Sequence, residues 1–395
     1  MPTSKLLENC DTVPLMVHGQ GVFLFAATNT DNCKFTVCKF TVYNADRTSG
    51  IHVCLTPTVV AVSSIPSNEP LKDPSNNSGS VTTSGATYWF SLDSQNQALY
   101  VGVGEARLET AIYTYSFSQD LRASNKAFLE SLTHIVIQEE SILPLKILRD
   151  PITATVPLTV ADTAELTMDD VATGCVMPIA NLPATSQKLY NCISGPKFSL
   201  SPELYRAIEY SIATPGCWCY ETLKMKAREF NDKPNMMETY LRITLGQNNG
   251  ESPGIPYVME IWPSGHYSPV HSHAGAEAVI RVLEGRIHVD LFPFLGGWVN
   301  PFAGADFIKG DVMWISPTLN QIHKLRNLGS ATCVTIQCYM YDGTDDKHYD
   351  YFDYLDADGK VQQYEPDSDM DYVAFQELML EEWAARPRWC CGRRR

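Results

Sequence analysis

Short runs of apolar and β-branched residues, several alternating with polar ones, recur through the first part of the chain, with clusters of Gly, Pro, Asn, Asp and Ser between them. A two-residue period puts successive side chains on opposite faces, so these runs predict β-strands. Residues 21–26, 35–43, 86–92, 98–104 and 109–117 are the clearest, rich in the β-branched and aromatic residues that suit a pleated surface. Asp93-Ser94-Gln95-Asn96 predicts a hairpin loop between two of them. The stretch 64–85, rich in Ser, Pro, Asn and Gly, predicts a long exposed loop. Many short strands with turn signals between them predict an antiparallel β-sandwich over residues 1–140, a scaffold or a ligand-binding module.

The period then changes. Residues 125–132 predict a short helix and 134–138 a strand; 152–160 alternate as a strand would. Thr167 before Met168-Asp169-Asp170 reads as a helix cap, and 182–193 as a helix stopped by Gly195. Residues 141–200 are thus expected to form a connecting region with helices. Ser201-Pro202-Glu203 has the cap-then-proline signature of a helix start, with Leu204, Ala207 and Ile208 on one face and Pro215 at its end. A second helix is expected over 218–230, and a strand series from Thr239 opens a domain over 201–385. Within it, 351–354 and 360–364 predict a hairpin around Asp356-Ala357-Asp358-Gly359; a calcium loop there would put Tyr354 at a ligand position. Phe375, Leu378, Met379 and Glu382 at helical spacing predict a helix over 371–385, and the arginine-rich 386–395 a basic tail.

Composition narrows the classes. The chain has 395 residues, 44% of them hydrophobic, and a net charge of −15. An acidic surface argues against nucleic acid and anionic membranes as partners and suits action on small molecules. The first residues are polar, and the apolar run 21–27 is too short for a secretory leader or a membrane span, so a cytoplasmic setting is expected. The 12 cysteines are then expected as thiols. Cys217-x-Cys219 and Cys390-Cys391 lack zinc-finger spacing.

The chemistry concentrates in two stretches. In Gly265-His266-Tyr267-Ser268-Pro269-Val270-His271-Ser272-His273, two histidines one residue apart in a strand-like segment point to one side and can aim two imidazoles at one metal ion. Gly310-Asp311-Val312-Met313-Trp314-Ile315-Ser316-Pro317 leads to His323 and Asn327, a third imidazole. A lone histidine is usually structural; His271, His273 and His323 as a set read as metal ligands. His134 has no such companions.

The spacing Gly-x5-His-x-His-x3-Glu, then Gly-x6-Pro-x5-His-x3-Asn, resembles the two metal-binding motifs of the cupin superfamily. With Tyr240-Leu241-Arg242 upstream and Thr335-Ile336-Gln337-Cys338-Tyr339 downstream, roughly residues 200–385 resemble the cysteine dioxygenases, a thiol dioxygenase family. The resemblance implies a mainly β fold, with a C-terminal cupin-type β-barrel and flanking helices after the N-terminal sandwich. It also implies Fe(II) on the three histidines and an oxidoreductase that adds O2 to cysteine or a related small carboxylated thiol to give a sulfinic acid. Arg242 would pair with the substrate carboxylate, Tyr339 would donate a hydrogen bond near the oxygen or substrate, and Tyr240 would support either Arg242 or the substrate.

The chain departs from the family at three positions. Ala278 stands where some members carry a cysteine linked to the active-site tyrosine, so that crosslink cannot form. Gln337 stands where the motif has a histidine, and an amide does not titrate near neutral pH. Glu277 sits at the general cupin ligand position. Ala278, Ile280 and Val282 share one strand face and Glu277 and Arg281 the other, so an apolar interior turns Glu277 away from the metal unless Ala274-Gly275 resets the register. The alternatives are another metal-dependent cupin enzyme (isomerase, lyase or other dioxygenase) with a His3Glu site, or a non-enzymatic ligand-binding cupin.

Overall fold

The computed structural model describes residues 4–7, 11–27, 38–56, 59–72, 86–138, 142–195, 198–230, 233–246, 257–297, 299–341 and 351–387. The chain divides into two compact units, Met1–Val156 and Pro157–Arg395.

The first unit contains β1 (Ser4–Leu6), β2 (Thr12–Pro14), β3 (Gln20–Ala27), β4 (Cys38–Asn44), β5 (Gly50–Leu55), β6 (Val60–Ile65), β7 (Thr87–Asp93), β8 (Ala98–Val103), β9 (Ala111–Ser116), α1 (Arg122–Ser131), β10 (Leu132–Ile137) and β11 (Ile142–Leu148). They form a six-stranded sheet, β1-β11-β3-β7-β8-β9, and a five-stranded sheet, β2-β10-β4-β5-β6. The expected hairpin is present: Asp93 pairs with Ala98, and the Asp93 carboxylate accepts from the backbone N–H of Gln95 and Asn96, both at 2.9 Å. Phe40 of the second sheet meets Phe23, Phe25 and Phe90 of the first edge-on, with ring centroids 5.4–5.5 Å apart. This is an aromatic sandwich core. The loop expected over 64–85 begins later, since β6 runs through Ile65, and residues 73–85 lie outside the described residues.

The second unit contains β12 (Thr159–Ala161), α2 (Met168–Thr173), β13 (Val176–Pro178), α3 (Ala184–Ile193), α4 (Pro202–Ala213), α5 (Trp218–Lys226), β14 (Leu241–Leu245), β15 (Tyr257–Trp262), β16 (Glu277–Glu284), β17 (Arg286–Leu291), β18 (Ala303–Ile308), β19 (Val312–Ile315), β20 (His323–Arg326), β21 (Cys333–Met340), β22 (Phe352–Leu355), β23 (Val361–Tyr364), β24 (Met370–Asp371) and α6 (Tyr372–Ala385). The eight-stranded sheet has the order β13-β12-β19-β16-β21-β15-β14-β24; the three-stranded sheet is β18-β17-β20, and β22-β23 is the expected hairpin. The core lies between the two larger sheets, with Val258, Trp262, Ala278, Ile280 and Met313 from one and Ile287, Val289, Phe307 and Leu325 from the other. Helices cover the outer face: α3 packs on β16 and β21, and α6 on α4 and β14.

The mainly β fold is as expected, with the barrel in an open form, and two sequence expectations need correcting. The second unit is a pair of facing sheets: among the described residues no ladder joins them into a closed barrel. The chain passes from one sheet to the other at Gly285 (φ +77), where a Cβ would lie 2.6 Å from the Thr332 carbonyl oxygen, so the bend requires glycine. The span 141–200 is not one connector. β11 pairs with β3 in the first unit, and β12 and β13 extend the large sheet of the second. Of 152–160, only the end is strand, because Pro157 has no N–H to give a ladder.

The helix signals fare better. Thr167 and Asp170 form a reciprocal capping box on α2. Ser201 accepts from the Leu204 N–H at 3.2 Å to cap α4. Asp371 caps α6, which buries Phe375 and Met379, and Glu382 of the same helix accepts from the Trp218 N–H at 2.7 Å. The helix expected over 218–230 ends at Lys226. Residues 388–395, most of the basic tail and Cys390-Cys391, lie outside the described residues. Among the described residues no helix is long and apolar enough to cross a membrane.

Candidate metal centre

The three histidines come together from two stretches more than forty residues apart. Their ligand nitrogens all lie within 4.8 Å of one another, and the ring centroids are 4.7–5.0 Å apart. The Nε2 atoms of His273 and His323 are 3.2 Å apart.

Backbone pairing produces this convergence. His271 and His323 face each other in an antiparallel bridge, each N–H donating to the other's carbonyl at 3.0 and 3.1 Å. Residues directly opposite in such a pair project to the same side. On its other side the His271 segment is held by the hairpin: the Ser272 N–H donates to Asp353 and the Leu355 N–H to Val270. The sequence places His271 and His273 in a strand; the structure holds them in an extended segment outside the named strands. Ala274 (φ +49) and Gly275 (φ +79) then turn the chain abruptly into β16.

The neighbouring amides fix the frame. Asn327 donates to the Trp262 and Ala331 carbonyls at 2.8 and 2.9 Å, tying the turn before the His pair to the end of β20. Gln321 donates to Ala276 at 2.8 Å and Ser316 at 2.6 Å, anchoring the approach to His323.

The rings themselves are oriented from behind. His271 Nδ1–H donates to the Pro269 carbonyl and His323 Nδ1–H to the Asn320 carbonyl, both at 3.1 Å, which leaves Nε2 as the ligand atom of each. Burial holds His271 down to about 4 and His323 down to about 3, and puts His273 well below the ordinary histidine range, with the neighbouring imidazoles adding to the effect on His273 and His323. Near neutral pH all three are uncharged, the form that binds metal. Converging lone pairs, back-donating Nδ1–H groups and neutral rings fit a divalent transition metal.

Glu277 takes no part. Its carboxylate accepts from Ser186 of α3 at 2.6 Å on the outer face, while Ala278, Ile280 and Val282 enter the core. Arg281, on the same outer face, donates to the Ile193 and Gly195 carbonyls at 3.0 and 3.1 Å.

The other sequence-predicted residues lie close by. Arg242 is 3% exposed, and its Nη1 lies 3.3 Å from Glu260 Oε1. The two are direct register partners on β14 and β15. Gln337 donates to Glu260 Oε2, and the Tyr339 hydroxyl donates to Gln337 Oε1. The Tyr339 ring stacks on His273 at 5.7 Å and lies 5.8 Å from the Arg242 guanidinium carbon. Burial raises the Tyr339 hydroxyl above its usual range, and it raises Glu260 as well, outweighing the opposing pull of Arg242. Ala278 is the register partner of Tyr339, so the crosslinking position faces the tyrosine and carries only a methyl group. Tyr240 stacks on Trp262 at 4.3 Å.

A cavity of about 20 Å³ adjoins the histidines, walled also by Tyr240, Glu260, Trp262, Gln337 and Phe352; Arg242 and Tyr339 are not on its wall. That volume suits a water or an ion. Sequence reasoning missed Glu260, Trp262 and Phe352, whose ring is 4.6 Å from His273. Glu260 carried a signal, being the charged residue in the otherwise apolar and aromatic run 257–262. Phe352 carried none.

No family model and no curated protein matches the chain. Solved structures similar to part of it include proteins described as cupin domains. The Schizosaccharomyces pombe Cnp3 cupin domain is 14% identical over 26% of this chain and 65% of that one, with a TM-score of 0.21. The cupin domain of an XRE-family transcriptional regulator from Enterobacter cloacae is also 14% identical, over 26% of this chain and 96% of that one, at 0.21. An oxalate oxidase bound to the substrate analogue glycolate is 15% identical over 31% and 57%, at 0.24. At such values these likenesses carry no argument.

Proposed function

We propose that the protein is an Fe(II)-dependent thiol dioxygenase that oxidises a small thiol to the sulfinic acid with O2. The observation that carries this reading is a group of three neutral imidazoles, two buried and His271 half-buried, within 4.8 Å of one another, that does not include a carboxylate. Three such ligands leave a face of a six-coordinate ion for reactants, as the 2-His-1-carboxylate sites of iron oxygenases do. Iron held there would supply the chemistry that lets O2 react with a thiol. Both oxygen atoms end on sulfur, which loses four electrons as O2 gains four, so no other reductant is needed.

The chain's own residues supply the setting. The Pro269 and Asn320 carbonyls aim His271 and His323. Trp262 and Phe352 exclude water from one side. Gln337 holds the Tyr339 hydroxyl proton in place and, lacking a titratable group, leaves it there across the neutral range.

The test is metal analysis and oxygen uptake with cysteine, cysteamine, 2-mercaptoethanol and 3-mercaptopropionate. Stoichiometric iron and thiol-dependent uptake are expected, both abolished by His271→Ala. An iron-replete protein that consumes no oxygen with any of them would overturn the reading. It would favour a metal-holding domain without turnover, the one alternative that the small cavity supports.

A further inference from the structure

We propose that Glu260 sets the substrate class of this site: it excludes thiols that bear a carboxylate and admits thiols whose far end is uncharged or an amine. The inference rests on the thiol dioxygenase reading and revises the role that the family resemblance gives to Arg242.

Position comes first. Glu260 shares a strand face with Val258 and Trp262, both in the core between the sheets, so its carboxylate points toward the histidines. Directly opposite on β14 stands Arg242, 3.3 Å away, and both side chains are nearly fully buried. A guanidinium that is to bind a substrate carboxylate must present its N–H groups to the reaction space. Here a carboxylate of the protein already stands against it.

The cavity wall decides what a ligand meets. Glu260 and Gln337 are on that wall with the three histidines, and Arg242 is not. Among the described residues that line the cavity, Glu260 is the charged one, so a ligand carboxylate entering there would confront it in a space too dry to screen two like charges. An ammonium or hydroxyl fares differently. An ionised carboxylate offers about four acceptor positions. Arg242 and Gln337 donate to different oxygens of Glu260, and a ligand N–H or O–H would be a third donor to the same carboxylate.

A bland role for Glu260, as a counter-ion that merely keeps Arg242 buried, makes a different forecast: removing its charge would leave ligand preference as it was. The experiment uses the full chain, iron-loaded for turnover, and also titrates propionate by calorimetry, which needs no turnover. The wild type is expected to use 2-mercaptoethanol and cysteamine with kcat/KM at least tenfold above 3-mercaptopropionate, and to give no propionate heat in the millimolar range. Glu260→Gln keeps the shape and frees the guanidinium. It is expected to shift the preference at least tenfold toward 3-mercaptopropionate and to gain propionate binding.

A wild type that takes 3-mercaptopropionate as well as 2-mercaptoethanol, or that binds propionate as tightly as Glu260→Gln, overturns the proposal. So does a folded Glu260→Gln protein that still binds none. If no thiol is consumed by either protein, the thiol dioxygenase reading falls, and the propionate titration alone decides the role of Glu260. If Glu260→Gln does not fold, Arg242→Met/Glu260→Met removes both charges; its preference for cysteamine over 3-mercaptopropionate is expected to fall at least tenfold. A folded double variant that keeps the wild-type order of thiols overturns the proposal.

Discussion

The two units solve the same packing problem with opposite interiors. Each places one antiparallel-rich sheet against another. Between the sheets of the first, Phe40 fills the space among Phe23, Phe25 and Phe90. Between the sheets of the second, three imidazoles, a guanidinium, a carboxylate and an amide occupy positions that aliphatic side chains could fill. Buried polar groups lose their hydration and are stable only when paired. A core that carries so many of them, each with a partner or a converging neighbour, marks the unit where chemistry is concentrated.

The largest effect that tests the contrast is in the first unit. Phe40→Ala removes the ring that three others contact and is expected to cost about 3–5 kcal/mol of stability in denaturant titration. Metal content should stay unchanged; a fall would mean that the metal centre depends on the aromatic core.

Acidification probes the other interior. His271 and His323 have folded-state values of about 4 and about 3 because burial favours the neutral ring. An unfolded histidine titrates near 6.5, so below that pH the unfolded chain binds more protons than the folded one. The stabilisation is complete above about pH 6.5 and is lost progressively as pH falls toward the folded values, by roughly 1.4 kcal/mol per pH unit for each histidine inside that window. Hydrogen exchange of the metal-free protein at pH 5 and pH 7.5 should therefore show peptides of the second unit losing protection first. His52 and His134 in the first unit are also shifted down by burial, but both are only half-buried, so the loss there is smaller. Equal losses in both units would break the comparison.

The smallest change separates the two faces of a single strand. Glu277→Gln should leave metal content unchanged and alter stability by about 1 kcal/mol or less, since it weakens one hydrogen bond to Ser186. Loss of metal would restore Glu277 as a ligand.

Much of the site was legible because its signals are local. The His-x-His pair, the glycine turns and the alternation of Ala278, Ile280 and Val282 are set by neighbours within a few residues. The alternation correctly turned Glu277 outward, because a two-residue period cannot put it on the apolar face. The caps Thr167 and Ser201 were equally local.

What stayed hidden depends on register between strands distant in sequence. Nothing in Tyr240-Leu241-Arg242 announces that Glu260 will lie opposite Arg242; that follows from the pairing of β14 with β15. Phe352 reaches His273 only because the hairpin docks against the segment that carries His271. The division of 141–200 between two sheets was invisible for the same reason: a strand's own sequence does not say which edge accepts it.

By itself, then, the sequence determined which residues could act: which faces are apolar, where turns occur, and which three imidazoles stand at metal-ligand spacing. Only the tertiary structure decided what they act with, by setting His271 against His323 and Glu260 against Arg242. Backbone alternation is a property of each strand alone, whereas a charge is free or neutralised according to what a different strand brings opposite it.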